Sequence, residues 1–219
     1  MATEDILKDV NLRYSNDKKP GYTRKIIGDK FEQVIRPLVV GKDVLDFGSS
    51  GQLLNKIPTK NKIHLYSEIK NVAKSIVGVD LRKPKLSEKV KHELVYGNVE
   101  TINLRKKFDV IVCCDLIEHV MNQGLLLQNC KRHLKDDGRL IISTPNAKSF
   151  RILFKTFKVH TLWHDKSTLT YLLIKNGFNI ERFYYYYGNK KYPWYLNLIF
   201  SFIGKLNQGI CVVCQKEGK

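Results

Sequence analysis

Four short runs constrain this chain more than anything else in it: VLDF at 44–47, IVGVD at 76–80, DVIVCC at 109–114 and RLIIS at 139–143. Within them IVGV, VIVCC and LIIS are continuously apolar rather than alternating, so as strands they need cover on both faces. Between them lie stretches with apolar residues at helical spacing, joined by short connections. Strands and helices in alternation predict a parallel sheet with helices on both sides. Leu94–Tyr96 reads as one more, weaker strand.

The helical stretches follow from periodicity and punctuation. Residues 1–42 are polar and helical in pattern, with a break at Lys19-Pro20-Gly21. Ile26, Ile27, Phe31, Val34 and Ile35 recur at helical spacing, and Pro37 is expected to close that helix. Gln52–Ile57 can form one or two turns before Pro58. Ile63–Lys74 is amphipathic, and Leu125–Leu134 reads as a helix ended by Asp136-Asp137-Gly138. Ser167–Lys175 is a helix stopped at Asn176-Gly177. Beyond it, Phe178–Tyr187 and Gly209–Gln215 read as strands and Tyr195–Leu206 as a helix. No linker or repeat divides the 219 residues, so one domain spanning 1–219 is expected, with 1–42 as a helical cap and 150–165 as a lid.

Composition narrows the classes. The start, MATEDILKDVNLRYSND, carries no signal pattern, which leads to the expectation of a cytoplasmic chain. The apolar run 192–204 is too short to span a bilayer, though it can touch a membrane surface. Five cysteines form no disulfide framework. Cys211 and Cys214 would point to opposite faces of a strand, and no second pair completes a zinc site, so no metal is expected. The net charge of +17, from 38 basic and 21 acidic residues, favours an anionic partner such as nucleic acid, although the lysines are scattered.

Ligands of open α/β sheets bind beyond the carboxyl ends of the strands. Here those ends carry polar and small residues. Asp46-Phe47-Gly48-Ser49-Ser50-Gly51 follows the first run, with Gly48 allowing a sharp turn. Asp80 ends the second and can accept two hydrogen bonds from a ribose diol. Asn98 and Val99 follow the third strand, and Cys114-Asp115-Leu116-Ile117-Glu118-His119 follows the next.

Taken in order, these segments resemble the class I S-adenosylmethionine-dependent methyltransferases, in the broad group of ubiquinone-biosynthesis, glycan and small-molecule enzymes. VLDFGSSG resembles VLDIGCGxG or VLDIGCAGG, and IVGVDL resembles the second-strand motif. FDVIVCCDLIEHV is similar to FDxVxxxEVLEHV, and HLKDDGRLIISTPN to LKPGGxLLISTPN. HTLWHDKSTLTYLLIKNGFNI resembles HxxFFSxxTLxxLLexaGFxV. The likeness runs from about residue 44 to 180. It implies a Rossmann-like, seven-stranded, mostly parallel sheet with helices on both faces and a C-terminal antiparallel hairpin. It also implies S-adenosyl-L-methionine as cofactor. Asp46, Gly48, Ser49 and Gly51 would form the turn facing its methionine part. Asp80, with Leu81 beside it, would hold the ribose. Asn98 and Val99 would flank the adenine, Asn98 through its amide oxygen. Cys114, Asp115 and Leu116 would line the wall near the sulfonium. The chain departs from the motifs at Ser50 and Gln52, where glycine is usual. Glu68 rivals Asp80 for the ribose by its spacing, but it falls in a helical pattern.

Three histidines are candidate catalytic residues for a hydroxyl acceptor: His119, His160 and His164. Packing roles compete with that reading for each of them, and Glu118 reads as an acid at a helix start. The expected function is methyl transfer to a small-molecule, sugar or lipid-linked hydroxyl. The alternatives are RNA methylation, suggested by the charge, and a methyltransferase fold without catalysis. A dinucleotide oxidoreductase ranks last, because Gly48-Ser-Ser-Gly51 does not supply G-x-G-x-x-G.

Overall fold

The computed structural model describes residues 23–27, 29–49, 65–81, 94–149, 160–186 and 208–218. Its eight strands form one sheet: β1 (Thr23–Ile27), β2 (Asp43–Phe47), β3 (Ser75–Asp80), β4 (Leu94–Tyr96), β5 (Phe108–Cys114), β6 (Leu134–Pro145), β7 (Phe178–Tyr186) and β8 (Gly209–Lys216). The strand order is β1-β7-β8-β6-β5-β2-β3-β4. From β2 the chain builds outward to β3 and β4, then returns to place β5 and β6 on the other side. β8 runs antiparallel between β6 and β7. Strands β2 to β8 are the seven-stranded sheet expected from the motifs, hairpin included.

β1 is an eighth strand, paired in parallel with β7. This corrects the helical reading of the segment around Ile26 and Ile27. Their spacing fits a helix, but β7 would otherwise end the sheet with an open edge, and pairing satisfies its backbone groups. The N-terminal cap is therefore a strand followed by a short helix, as far as it is described. That helix also differs at Pro37. A wide π turn over Phe31–Ile35 runs into α1 (Arg36–Val39), with Pro37 inside the first turn of α1. Proline lacks the N–H, and the turn before it widens so that the Arg36 N–H reaches the Phe31 carbonyl.

The remaining helices among the described residues are α2 (Leu65–Lys70), α3 (Gln123–His133) and α4 (Lys166–Lys175). Asn122 caps α3 by accepting from the Leu125 N–H, and Asp165 with Thr168 forms a capping box on α4. Asp136-Asp137-Gly138 does not end α3. The helix stops at His133, and these residues lie within β6, where its pairing with β5 shifts register between Phe108 and Val110. The expected helices at 52–57 and 195–206, most of the proposed lid and the 192–204 surface segment lie outside the described residues.

The apolar runs supply two cores, one on each face. Leu45, Phe47, Ile111, Cys113, Leu140 and Ile142 pack with α3 and α4 through Leu126, Leu127, Leu169 and Leu173. Val44, Val110, Val112 and Ile141 alternate to the opposite face, under Val34, Ile35 and Val39 and under Ile69 of α2. Cys214 belongs to the first core and Cys211 to the second, as expected for strand residues three apart. All five cysteines are free and buried.

Gly48 is needed twice over. Its φ is +82°, and a Cβ there would stand 3.0 Å from Leu116 Cδ1. Gly41, at φ +67°, faces open space. Gly41→Ala should therefore cost only the backbone term, about 1 kcal/mol. Gly48→Ala adds the crowding of Leu116 and should cost about 2 kcal/mol. Urea unfolding of the two variants checks this, and equal costs would refute the Leu116 contribution.

Candidate functional site

The strand order reverses between β2 and β5, so a crevice is expected where their carboxyl ends diverge. Gly48 and Ser49 fold back across the end of β3, with both N–H groups directed at the Val79 carbonyl (2.8 and 3.4 Å). Leu116, following β5, packs on Gly48. Ser49 Oγ is buried and has no hydrogen-bond partner among the described residues. Gly51 lies outside the described residues.

Acidic groups gather at this edge of a chain whose net charge is +17. Asp46 is the penultimate residue of β2, Asp80 ends the adjacent β3, and Asp115 follows β5. Asp46 is buried, and burial, reinforced by Asp80, pushes its carboxyl up to about 8. Asp80 is half-buried at the strand end, and Leu81 beside it is exposed. Glu68 lies in α2, where burial and then Asp29 and Glu32 raise its carboxyl, so it faces the N-terminal helix.

The acid with a raised pKa has a consequence for stability. An unfolded aspartate ionises near 3.9. Between about pH 4 and 8 the unfolded chain has lost this proton while folded Asp46 keeps it. Asp46 therefore favours the folded state most at low pH, and that contribution falls as pH rises through 8. Asp46→Asn should remove this slope, which reaches at most about 1.4 kcal/mol per pH unit. Urea midpoints at pH 4.5 and 8 measure it: the variant should gain on the wild type at pH 8, and parallel profiles would contradict the assignment.

Asn98 is engaged locally. Its Oδ1 accepts the Glu100 N–H at 2.9 Å, and its carbonyl receives Thr101 and Ile102. The amide oxygen expected to read an adenine edge is thus already an acceptor within its own turn. The Val99 side chain is buried in the core, and its carbonyl accepts from Asn129. Cys114 likewise turns its thiol into the second core, where burial pushes it up to about 11.

Asp115 adopts φ +50°, a conformation aspartate tolerates better than most residues. Its carboxylate accepts from Tyr186 Oη (3.0 Å), Ser143 Oγ (3.3 Å) and Lys30 Nζ (3.3 Å), and Lys30 also reaches Ser143 at 2.8 Å. Burial alone would lower the Lys30 ammonium, but Asp115 outweighs it and holds it well above the usual range. For Asp115 burial works upward, yet Lys30, Tyr186 and Ser143 bring it below the ordinary carboxylate value. Sequence reasoning missed Lys30, Ser143 and Tyr186. They stand 85, 28 and 71 positions from Asp115, and no local pattern joins them.

Glu118 sits in the first turn of a short helix, as expected of an acid at a helix start, but it is buried there. It lies in a 3-10 turn (Ile117–His119), 2% exposed, and accepts Thr144 Oγ1 at 2.9 Å. Burial, then Asp115, pushes its carboxyl up to about 8. Its backbone carbonyl accepts both the N–H and the hydroxyl of Thr161, each at 2.8 Å. That pair of bonds draws the neighbouring His160 onto His119. The two rings meet edge to face at 4.8 Å between centroids, and Trp163 lies 4.6 Å beyond His160. His119 is exposed and His160 half-buried, with desolvation and then His119 lowering the His160 imidazole. The structure thus brings His119 and His160 together and separates His164 from them in role. His164 is buried, its Nε2 meets Gln123 Oε1 at 3.1 Å, and burial lowers its imidazole. It anchors the returning segment under α3.

The residues present fit a ligand rich in hydrogen-bond donors with positive character. Carboxyl groups gather at the edge, Asp80 among them, and a buried hydroxyl at Ser49 lies beside them. S-adenosyl-L-methionine has that chemistry: a ribose diol, an ammonium group and a sulfonium.

A family model described as a methyltransferase domain matches residues 21–184. A ubiquinone biosynthesis O-methyltransferase of Glaesserella parasuis is 27% identical over 164 residues, covering 68% of this chain and 58% of its own length. The chain thus spans little more than half the length of that relative. Among solved structures, an S-adenosylmethionine-dependent methyltransferase from Clostridium acetobutylicum matches with a TM-score of 0.58 at 17% identity, over 86% of this chain and 89% of its own. A glycopeptide N-methyltransferase in complex with S-adenosyl-L-homocysteine also matches at 0.58, with 12% identity, over 88% and 92% of the two chains. These neighbours share the fold. With the matched model covering most of the sequence and the strand order of the sheet, the chain belongs to the methyltransferase-domain family, within the class I S-adenosylmethionine-dependent methyltransferases.

Proposed function

We propose that this chain binds S-adenosyl-L-methionine at the β2–β5 crevice and methylates a hydroxyl oxygen on a small acceptor. The observation that carries the reading is the meeting of two sets of groups at one sheet edge. Asp46 and Asp80 lie at the carboxyl ends of neighbouring strands, and His119, on the turn that follows β5, meets His160 from the returning segment. When bound, S-adenosyl-L-methionine supplies the methyl group and a neutral thioether leaving group. Asp80 would bind the ribose diol, and the Gly48–Ser49 turn would lie against the rest of the cofactor. The imidazoles would take the proton of the acceptor hydroxyl, since a neutral imidazole is a competent base near pH 7. Trp163, packed on His160, supplies an apolar wall beside the acceptor.

The hydroxyl is favoured over nitrogen for two reasons. A hydroxyl acceptor needs a base, and two imidazoles are in contact here. The ubiquinone biosynthesis relative is also named as an O-methyltransferase. Titration calorimetry with S-adenosyl-L-homocysteine tests the first half, and saturable binding at micromolar concentrations is expected. Absence of heat at millimolar ligand would refute it. Labelled methyl transfer to a panel of phenols, sugars, amines and RNA tests the second half, and label recovered on amine acceptors alone would overturn the choice of oxygen.

A further inference from the structure

We propose that Glu118, His119 and His160 form a binding site for a divalent transition-metal ion. One ligand atom from each lies within 4.8 Å of the other two. Two imidazoles and one carboxylate suit Mn²⁺, Fe²⁺, Co²⁺ or Zn²⁺ and leave coordination positions open. Donors bound to one ion at about 2.1 Å stand about 3 to 4 Å apart. The cluster therefore closes on an ion by small side-chain rotations, and exposed His119 can supply the largest.

The surroundings hold the three donors in place. Thr144 Oγ1 donates to Glu118 Oε2 at 2.9 Å and orients that carboxylate, as outer-shell partners of metal ligands do. Thr161 ties the backbone beside His160 to the Glu118 carbonyl through two bonds of 2.8 Å. The Trp163 ring sits against His160. Two segments some forty residues apart in sequence are thus joined at this one place. Asp115 stands one turn before Glu118 but is not a fourth ligand, because Lys30, Ser143 and Tyr186 already occupy its carboxylate. Among the described residues the site therefore has three protein donors, and it faces solvent through His119.

Its use rests on the reading of the chain as a hydroxyl methyltransferase. An acceptor hydroxyl bound at an open position would be polarised, and its proton would pass to bulk water. The histidines would then act through the ion rather than as free bases.

The test separates the site from its use. Mn²⁺ binding to the full chain is followed by electron paramagnetic resonance, and Co²⁺ binding by visible absorption. Mn²⁺ also disfavours the buried thiols. One equivalent is expected to bind, with affinity reduced at least 10-fold in His119→Ala and in Glu118→Gln. Thermal unfolding of each variant without metal serves as the folding control, and exposed His119 should leave it unchanged. Mn²⁺ binding that is absent, or equal in wild type and His119→Ala, overturns the site. S-adenosyl-L-homocysteine binding is measured on the same metal-free protein. If it persists while Mn²⁺ fails, the metal inference falls and the methyltransferase reading stands. If Mn²⁺ binds and the cofactor product does not, the reverse holds.

Discussion

His119→Ala is expected to lower kcat for any hydroxyl acceptor about 100-fold, with affinity for S-adenosyl-L-homocysteine within 2-fold or so of the wild type. The asymmetry follows from position. His119 stands on the 3-10 turn after β5, against His160, and its side chain is exposed. Removing it takes nothing from either core, so stability should be unchanged. The expected loss is that of a positioned proton acceptor or metal ligand, typically two to four powers of ten. Single-turnover methyl transfer, measured with saturating cofactor, reads the chemical step directly. A raised KM with kcat preserved would make His119 a binding residue instead. The companion variant His164→Gln should behave differently. Its ring is buried against Gln123, so its loss should appear as lowered stability rather than as a selective loss of kcat.

Asp80→Ala should weaken S-adenosyl-L-homocysteine binding roughly 100-fold while the free protein keeps its fold. A carboxylate accepting two hydroxyl donors contributes on the order of 3 kcal/mol of binding. Asp80 ends β3 with its side chain half-exposed, so no core packing is lost. Its removal also takes away the charge that helps keep Asp46 protonated. The Asp46 carboxyl should therefore drop toward the usual range in the variant, which carbon-detected titration of the carboxyl groups would register. Calorimetry decides the main point. Affinity unchanged in Asp80→Ala, but lost in Glu68→Ala, would move the ribose contact to α2.

Most of the sheet was legible because its strands are buried on both faces. Runs such as DVIVCC and RLIIS are too short to cross a bilayer and gain most when covered on both faces of a sheet, and their order in sequence matches the motifs of one family. The edges were less legible. β1 carries no such run, and its strand character comes from the open side of β7, a long-range pairing that no local window contains. The same holds for Asp136-Asp137-Gly138, which reads as a helix stop and lies in an irregular stretch of β6.

The site divides in the same way. The sequence by itself determined the residues at strand ends, Asp46, Gly48, Asp80 and Asp115, because a strand followed by a tight turn places its next residue at the carboxyl edge. Tertiary structure alone decided what those residues touch. Lys30 and Tyr186 come from distant segments to hold Asp115, and Asn98 spends its amide oxygen on its own turn. Thr161 brings His160 to His119 and Glu118, while His164, four residues on, is drawn into the interior by Gln123. Periodicity and motif spacing report on one element at a time. Which of three similar histidines meets another depends on hydrogen bonds between segments some forty residues apart, and these form only once the sheet has set the distance between them.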